Sequence, residues 1–102
     1  MDFNKLLEQA AKMQSNLEST QTTLQNNEYC GSASNGMIEV VLMGDYSLKK
    51  ININKELLDS ENQELVEDMI VIAYNEAKNK LEKDKQAKLA DVTGGMNIPG
   101  LF

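Results

Sequence analysis

The stretch NGMIEVVLMGD, residues 35–45, decides the fold. A mostly apolar run lies between two pairs, Asn35-Gly36 and Gly44-Asp45, that favour primed hairpin turns. An apolar run bounded by two tight turns is the middle strand of an antiparallel meander. We therefore predict three strands, over about 29–34, 37–43 and 46–53.

Both faces of this middle strand are apolar. Ile38, Val40 and Leu42 point to one face. The other face carries Met37, Val41 and Met43, together with Glu39. Helices of the same chain can cover one face, and a partner subunit is the natural cover for part of the other. The sequence thus predicts a homodimer, with Met37, Val41 and Met43 at its interface.

In the third strand the alternation slips by one residue. In a regular strand, Leu48 would point to one face of the sheet, whereas Ile51 and Ile53 would point to the other. A β-bulge near Lys49 and Lys50 would return these side chains to a common face. The alternative is a strand with a polar edge.

A helix is predicted on the N-terminal side of the meander, over residues 2–26. Its apolar positions keep a spacing of three and four residues, broken only at Thr20: Phe3, Leu6, Ala10, Met13, Leu17 and Leu24. Such a helix is about 37 Å long. A stripe of this kind packs most often on its own domain.

A second long helix is predicted after the meander. Leu57-Leu58 forms a short turn that plugs the core, and Ser60 to Gln63 is typical of a capping box. The apolar face comprises Leu65, Val66, Met69, Ile70, Ile72, Ala73, Ala77 and Leu81. Residues 83–86 carry almost no apolar surface, so the far half, to about Asp91, should leave the core. Thirty helical residues span about 45 Å, against a radius of gyration of about 13 Å for a compact domain. Both helices should therefore project as arms.

Composition excludes several functional classes. The chain has 41% hydrophobic residues, one cysteine and no histidine. Cys30 therefore has neither a partner for an internal disulfide nor a histidine for a Cys-His nucleophile or a structural zinc site. No signal peptide and no 18-residue apolar run is found. We expect a cytoplasmic protein with no membrane contact.

No catalytic motif is present either. The chain lacks a P-loop, a dinucleotide-binding glycine pattern and a nucleophile elbow. Glu61, Glu64 and Asp68 share a helix face and could hold a divalent cation weakly, but a solvated acidic first turn is the better interpretation. We expect no enzymatic activity, metal, cofactor or small-molecule substrate.

Charge is distributed unevenly along the chain. The net charge is −6 and arginine is absent. Residues 54–77 carry one lysine against seven carboxylates, a net −6, whereas residues 78–102 carry five lysines against three carboxylates, a net +2. The positive charge is therefore concentrated at one end of the second helix.

In its order of motifs the chain resembles the YbaB/EbfC family of bacterial nucleoid-associated proteins. The matching residues are Leu7, Gln9, Ala10 and Met13-Gln14; Gly36 to Val40 leading to Gly44; Ile51-Asn52-Ile53 with Leu57-Leu58; Leu65 to Ala77; and Gly94-Gly95-Met96 with Ile98-Pro99-Gly100. The resemblance implies an α+β subunit of α-β-β-β-α order, homodimerisation through the sheet, and paired helices that engage DNA. We expect one domain over 1–102, with 94–102 as a flexible tail. Family members usually carry helix arginines, which this chain lacks.

If the resemblance holds, lysines must provide the DNA contact. Lys78, Lys85 and Lys88 recur on one helix face and Lys80 and Lys83 flank it, with Lys5 and Lys12 on the first helix as further candidates. Lysine meets phosphate as a point charge, without the bidentate reading of bases that arginine provides. We therefore expect sequence-independent binding of duplex DNA at the nucleoid. The alternatives are a solvated lysine surface and a dimeric protein-interaction module with weak or no DNA binding.

Overall fold

The computed structural model describes residues 2–93. Helix α1 spans Phe3–Asn26, strands β1, β2 and β3 span Glu28–Ala33, Ile38–Met43 and Leu48–Ile53, and helix α2 spans Gln63–Thr93. Two short 3-10 turns, Lys55–Leu57 and Ser60–Asn62, precede α2. The predicted order α-β-β-β-α is confirmed. The predicted flexible tail, 94–102, lies outside the described residues.

The sheet is an antiparallel meander of order β1-β2-β3. Val41 pairs with Lys50 and Leu42 pairs with Leu48, so Lys49 has no partner in the register of β2 and β3. This is the bulge predicted from the slipped alternation. Its effect is that Leu48 and Ile51 lie on one face of the sheet, beside their partners Leu42 and Val40.

One of the two predicted turns is primed and the other is not. Asn35 and Gly36 both have positive φ, 56° and 85°, and Met37 N–H donates to the Ser34 carbonyl at 3.2 Å, as in a type I′ turn. The prediction for Gly44-Asp45 is wrong, because the positive φ there belongs to Tyr46, at 70°. Gly44 is required for another reason: a Cβ on it would overlap the carbonyl oxygen of Leu24 at the end of α1.

The core lies between the sheet and one face of α2. Ile38, Val40 and Leu42 are fully buried, as their predicted register requires. From α2 the buried residues are Ala73, Ala77 and Leu81. The small alanines let α2 approach β1 closely, so that a side chain at Gly31 would overlap the backbone of Ala73.

The start of α2 differs from the prediction. Asp59, and not Ser60, caps the turn before α2, and its side chain accepts a hydrogen bond from Glu61 N–H at 3.2 Å. The predicted capping box is wrong because a 3-10 turn intervenes before α2 begins at Gln63. Leu57 plugs the core as predicted, whereas Leu58 is 67% exposed.

The subunit is elongated, as two helices of this length demand. It extends 70 × 20 × 19 Å with a radius of gyration of 19.1 Å. Along α1 the stripe goes from 70% exposed at Phe3 to 4% at Leu24, so only the C-terminal part of α1 is packed. Beyond Leu81, no described residue of α2 belongs to the main core cluster. The prediction that this part of α2 leaves the core is nevertheless wrong at Leu89, which is completely buried.

Candidate nucleic-acid interface

The five lysines predicted on α2 fall into two groups. Lys80 and Lys83 are exposed, whereas Lys78, Lys85 and Lys88 are half-buried. The three lysines that were predicted to share one helix face therefore lie at the edge of the surface through which α2 packs on the rest of the subunit. The most solvent-exposed positions are the two that were expected only to flank them.

Three of these lysines are paired with carboxylates of their own helix. Lys78 lies 3.9 Å from Glu82, Lys80 lies 3.4 Å from Glu76, and Lys88 lies 3.2 Å from Asp84, each four residues away. Lys80 also donates to the carbonyl oxygen of Cys30, on β1, at 2.9 Å. Exposed pairs of this kind stabilise a helix by only about 0.3–0.5 kcal/mol. They nevertheless offset part of the positive potential of α2.

Asp84 connects the outer half of α2 to the sheet. The Tyr29 hydroxyl donates to one of its oxygens at 2.5 Å and Lys88 donates to the other at 3.2 Å. The hydrogen bond from Tyr29 is the main reason that the pKa of Asp84 is lowered, with Lys88 contributing less. Burial, and then the hydrogen bond to Asp84, raise the pKa of Tyr29. This polar link holds the lysine-rich segment in a defined position.

The other four predicted lysines have no carboxylate partner among residues 2–93. Lys5, Lys12 and Lys83 are exposed to solvent. The half-buried Lys85 instead places its ammonium 5.5 Å from the centre of the Tyr46 ring. Lys5 and Lys12 lie seven residues apart on the part of α1 that projects from the core. The structure thus divides the lysine set between α2 and the arm of α1.

Two features outside this set were missed from the sequence. The sequence predicts Tyr46 within the third strand, whereas it occupies the β2–β3 turn and contacts Lys85. Lys49 and Lys50 both lie with Glu28, Glu39 and other residues around a hollow on the sheet face away from the helices, and Lys49 is ion-paired with Glu28. The slip in the alternation of apolar residues along β3 marks the bulge at these two lysines, and could have drawn attention to them. No signal in the sequence links Tyr46 to Lys85.

Of the predicted dimer-interface residues, Val41 and Met43 lie on the side of the sheet opposite the core, and Met37 precedes β2. Met37, Val41 and Met43 are all half-buried, whereas Ile38, Val40 and Leu42 are buried beneath α2. Met37 also packs against the core cluster. Val41 and Met43 therefore present the larger share of the apolar surface on this open face.

A second apolar surface lies on the acidic half of α2. Leu65, Val71 and Ile72 are 47%, 58% and 57% exposed. The exposed carboxylates Glu64 and Asp68 lie among them. Solvent-exposed apolar side chains grouped in this way are typical of interaction surfaces.

Within residues 2–93, no helix is long and apolar enough to cross a membrane. The same part of the chain brings together no group of three acidic or cysteine side chains that could hold a metal ion.

Comparisons with known proteins agree with the architecture. The chain is 37% identical over 102 residues to a nucleoid-associated protein of Rickettsia akari and to one of Rickettsia felis, covering 100% of this chain and 95% of each relative. The crystal structure of an uncharacterized protein from Helicobacter pylori superposes with a TM-score of 0.77 at 20% identity, covering 92% of this chain and 99% of that one. The model of the YbaB/EbfC DNA-binding family matches residues 1–96. The chain therefore belongs to the YbaB/EbfC DNA-binding family.

Proposed function

We propose that this protein binds duplex DNA as a homodimer, largely without regard to base sequence, and serves nucleoid organisation or gene regulation in the cytoplasm. Membership of the YbaB/EbfC DNA-binding family is the observation that carries the proposal. The Rickettsia relatives, which are called nucleoid-associated proteins, support a location at the nucleoid.

The lysines of the outer half of α2 and of the α1 arm are the residues that we propose to contact DNA. Half of the ten lysines of the chain lie between residues 78 and 88, and arginine is absent. Without arginine, the contact is with phosphate and not with base edges. Lys78, Lys80 and Lys88 have carboxylate neighbours, and Lys85 is half-buried. We therefore expect the exposed and unpaired Lys5, Lys12 and Lys83 to contribute the most per residue.

An electrophoretic mobility-shift titration against duplex DNA at two salt concentrations tests this proposal. The variant Lys5→Gln/Lys12→Gln/Lys83→Gln should weaken binding to all duplexes equally, and should flatten the plot of log K against log salt by about 0.9 for each phosphate that is no longer neutralised. Lys55→Gln is the matched control, because it removes an exposed lysine from the acidic segment and should leave binding unchanged. The same titration with Lys78→Gln/Lys85→Gln/Lys88→Gln measures how much the half-buried lysines contribute to the affinity for DNA. If neither triple variant weakens binding, the assignment of the contact to these lysines is wrong.

The dimer is proposed to form through Met37, Val41 and Met43, of which Val41 and Met43 lie on the open face of the sheet. Support comes from the arrangement of the helices: α2 packs against β1 and β2 on the opposite face, and Val41 and Met43 are only partly buried. Light scattering should give twice the chain mass of 11.4 kDa. Val41→Asp should yield a folded monomer, whereas Ile72→Asp, on the outer face of α2, should leave the dimer intact. The reverse result would place the interface on α2.

A second candidate function is a dimeric protein-interaction module with weak or no DNA binding. The exposed Leu65, Val71 and Ile72 among the carboxylates of α2 favour it. This function predicts no shift of duplex DNA by the wild-type protein even near 50 mM salt, where electrostatic binding is strongest.

A further inference from the structure

Tyr46 has a backbone conformation that a tyrosine rarely adopts. It lies in the loop between β2 and β3, where its N–H donates to the Met43 carbonyl at 2.9 Å and its φ is 70°. Glycine or asparagine is the usual residue at such a left-handed position, because a Cβ is strained there. The loop cannot easily relax, since Ser47 N–H is bonded to Asp45 at 2.9 Å and Gly44 lies directly against the end of α1.

Lys85 is equally unusual in its position on α2. Ala73, Ala77, Leu81 and Leu89 form a buried stripe with a four-residue step, and Lys85 occupies the place where the next apolar residue belongs. Its ammonium lies over the Tyr46 ring, 5.5 Å from the ring centre. Among residues 2–93 it is the one half-buried lysine of α2 with no carboxylate partner. The ring accepts one contact and leaves other N–H donors of the ammonium available.

Two shallow hollows lie on either side of this pair. One, of about 300 Å³, is bordered by α1 and the β2–β3 turn and includes Gln21 and Gln25; the other, of about 250 Å³, includes Gln86. Two carboxylates also border them: Glu82 is ion-paired with Lys78, whereas Asp45 accepts a hydrogen bond from Ser47 N–H and keeps its negative charge. The groups that can donate hydrogen bonds to a ligand are the ammonium of Lys85, the phenol of Tyr46 and several amides, which are donors that a phosphate can use.

We propose that Tyr46 and Lys85 form a contact for the phosphate backbone of DNA at the junction of α1, the β2–β3 turn and α2. Lys85 supplies the positive charge, the Tyr46 hydroxyl supplies a directed donor, and the ring holds the ammonium in place. Strained residues persist at functional sites when the surrounding structure fixes them, and the strained loop keeps this aromatic side chain beside α2. The inference rests on the proposed DNA binding and adds to it a residue that is not a lysine.

Tyr46→Gly tests the inference, because it removes the strain and the contact together. Ser34→Gly is the matched control, since Ser34 is a left-handed non-glycine residue, at φ 50°, in the other hairpin turn. Both variants should stay folded, because glycine relieves the backbone strain at a left-handed position. Tyr46→Gly should bind duplex DNA about tenfold more weakly or worse, as expected when one hydrogen bond to a charged group is removed, whereas Ser34→Gly should bind as the wild type does.

A double-mutant cycle with Lys85→Gln distinguishes a shared contact from two separate ones. If the two side chains act together, Tyr46→Gly/Lys85→Gln should bind no more weakly than either single variant. Equal affinity of Tyr46→Gly and Ser34→Gly, or additive effects in the cycle, would overturn the inference and leave the proposed function standing. Failure of the wild-type protein to bind duplex at 50 mM salt would overturn both.

Discussion

Gly31→Ala perturbs the contact that seats α2 on the sheet. Gly31 lies in β1, and an added Cβ would overlap the carbonyl oxygen of Ala73 and lie 2.5 Å from the nitrogen of Ala77. Both are backbone atoms, so no rotation of a side chain can relieve the clash. Helix α2 must move away from β1, which loosens the packing of Ala73 and Ala77 in the core.

The size of the effect follows from this geometry. Overpacking of a core costs about 1–3 kcal/mol, and a clash of two backbones belongs at the upper end, about 3 kcal/mol. For a domain of this length, each kcal/mol lowers the melting temperature by about 4–8 °C, so a decrease of about 12–24 °C is expected. Gly36→Ala is the control, because its φ of 85° is strained but no backbone atom lies near it, and it should cost about 1 kcal/mol.

Thermal unfolding followed by circular dichroism measures both variants. Gly31→Ala should melt well below Gly36→Ala. If the two variants melt together, the close approach of α2 to β1 does not limit stability, and the packing of the core would have to be reconsidered.

Further predictions concern the core and the link between α2 and β1. Val40→Asp places an unpaired carboxylate at a fully buried position and should cost several kcal/mol; urea denaturation that matches wild type would contradict the assigned strand register. Tyr29→Phe removes the hydrogen bond to Asp84 and should cost on the order of 1 kcal/mol. Because the pKa of Asp84 is lowered from 3.8, this stabilisation is present above that pH and is lost as pH falls through the folded pKa. The difference in melting temperature between wild type and Tyr29→Phe should therefore shrink in acid, and a difference that stays constant to about pH 2 would argue against the link. Because the pKa of Tyr29 is raised from 10.0, wild type should also lose stability relative to Tyr29→Phe as pH rises from that value through the folded pKa.

The register of the sheet was predictable because a strand has a period of two residues. Ile38, Val40 and Leu42 must share a face, and a bulge near Lys49 and Lys50 accounts for the slip between Leu48 and Ile51. Both predictions are confirmed. The turn at Gly44-Asp45 was not predictable in the same way, because the need for glycine there arises from Leu24, a residue distant in sequence.

Of the candidate site, only the concentration of lysines could be predicted from the sequence, and not the contacts that those lysines make. The sequence reveals that lysines are dense between residues 78 and 88, but the burial of Lys85 depends on where α1 and the β2–β3 turn meet α2. The hydrogen bond between Tyr29 and Asp84 likewise joins residues 55 positions apart. Contacts that depend on tertiary packing leave no periodic signal in one sequence.

The way in which α1 is attached has a mechanical consequence. Only its C-terminal end is packed, so thermal bending should displace Lys5 further than Lys12, by an amount that grows with distance from Leu24. Amide hydrogen exchange should accordingly be fastest near Phe3 and slow progressively toward Leu24. A lysine on such an arm is not held at one fixed position with respect to the phosphates of a duplex. If Lys5 and Lys12 contact DNA as proposed, the arm would follow bent and straight duplexes alike, which rigid placement of the same lysines would prevent.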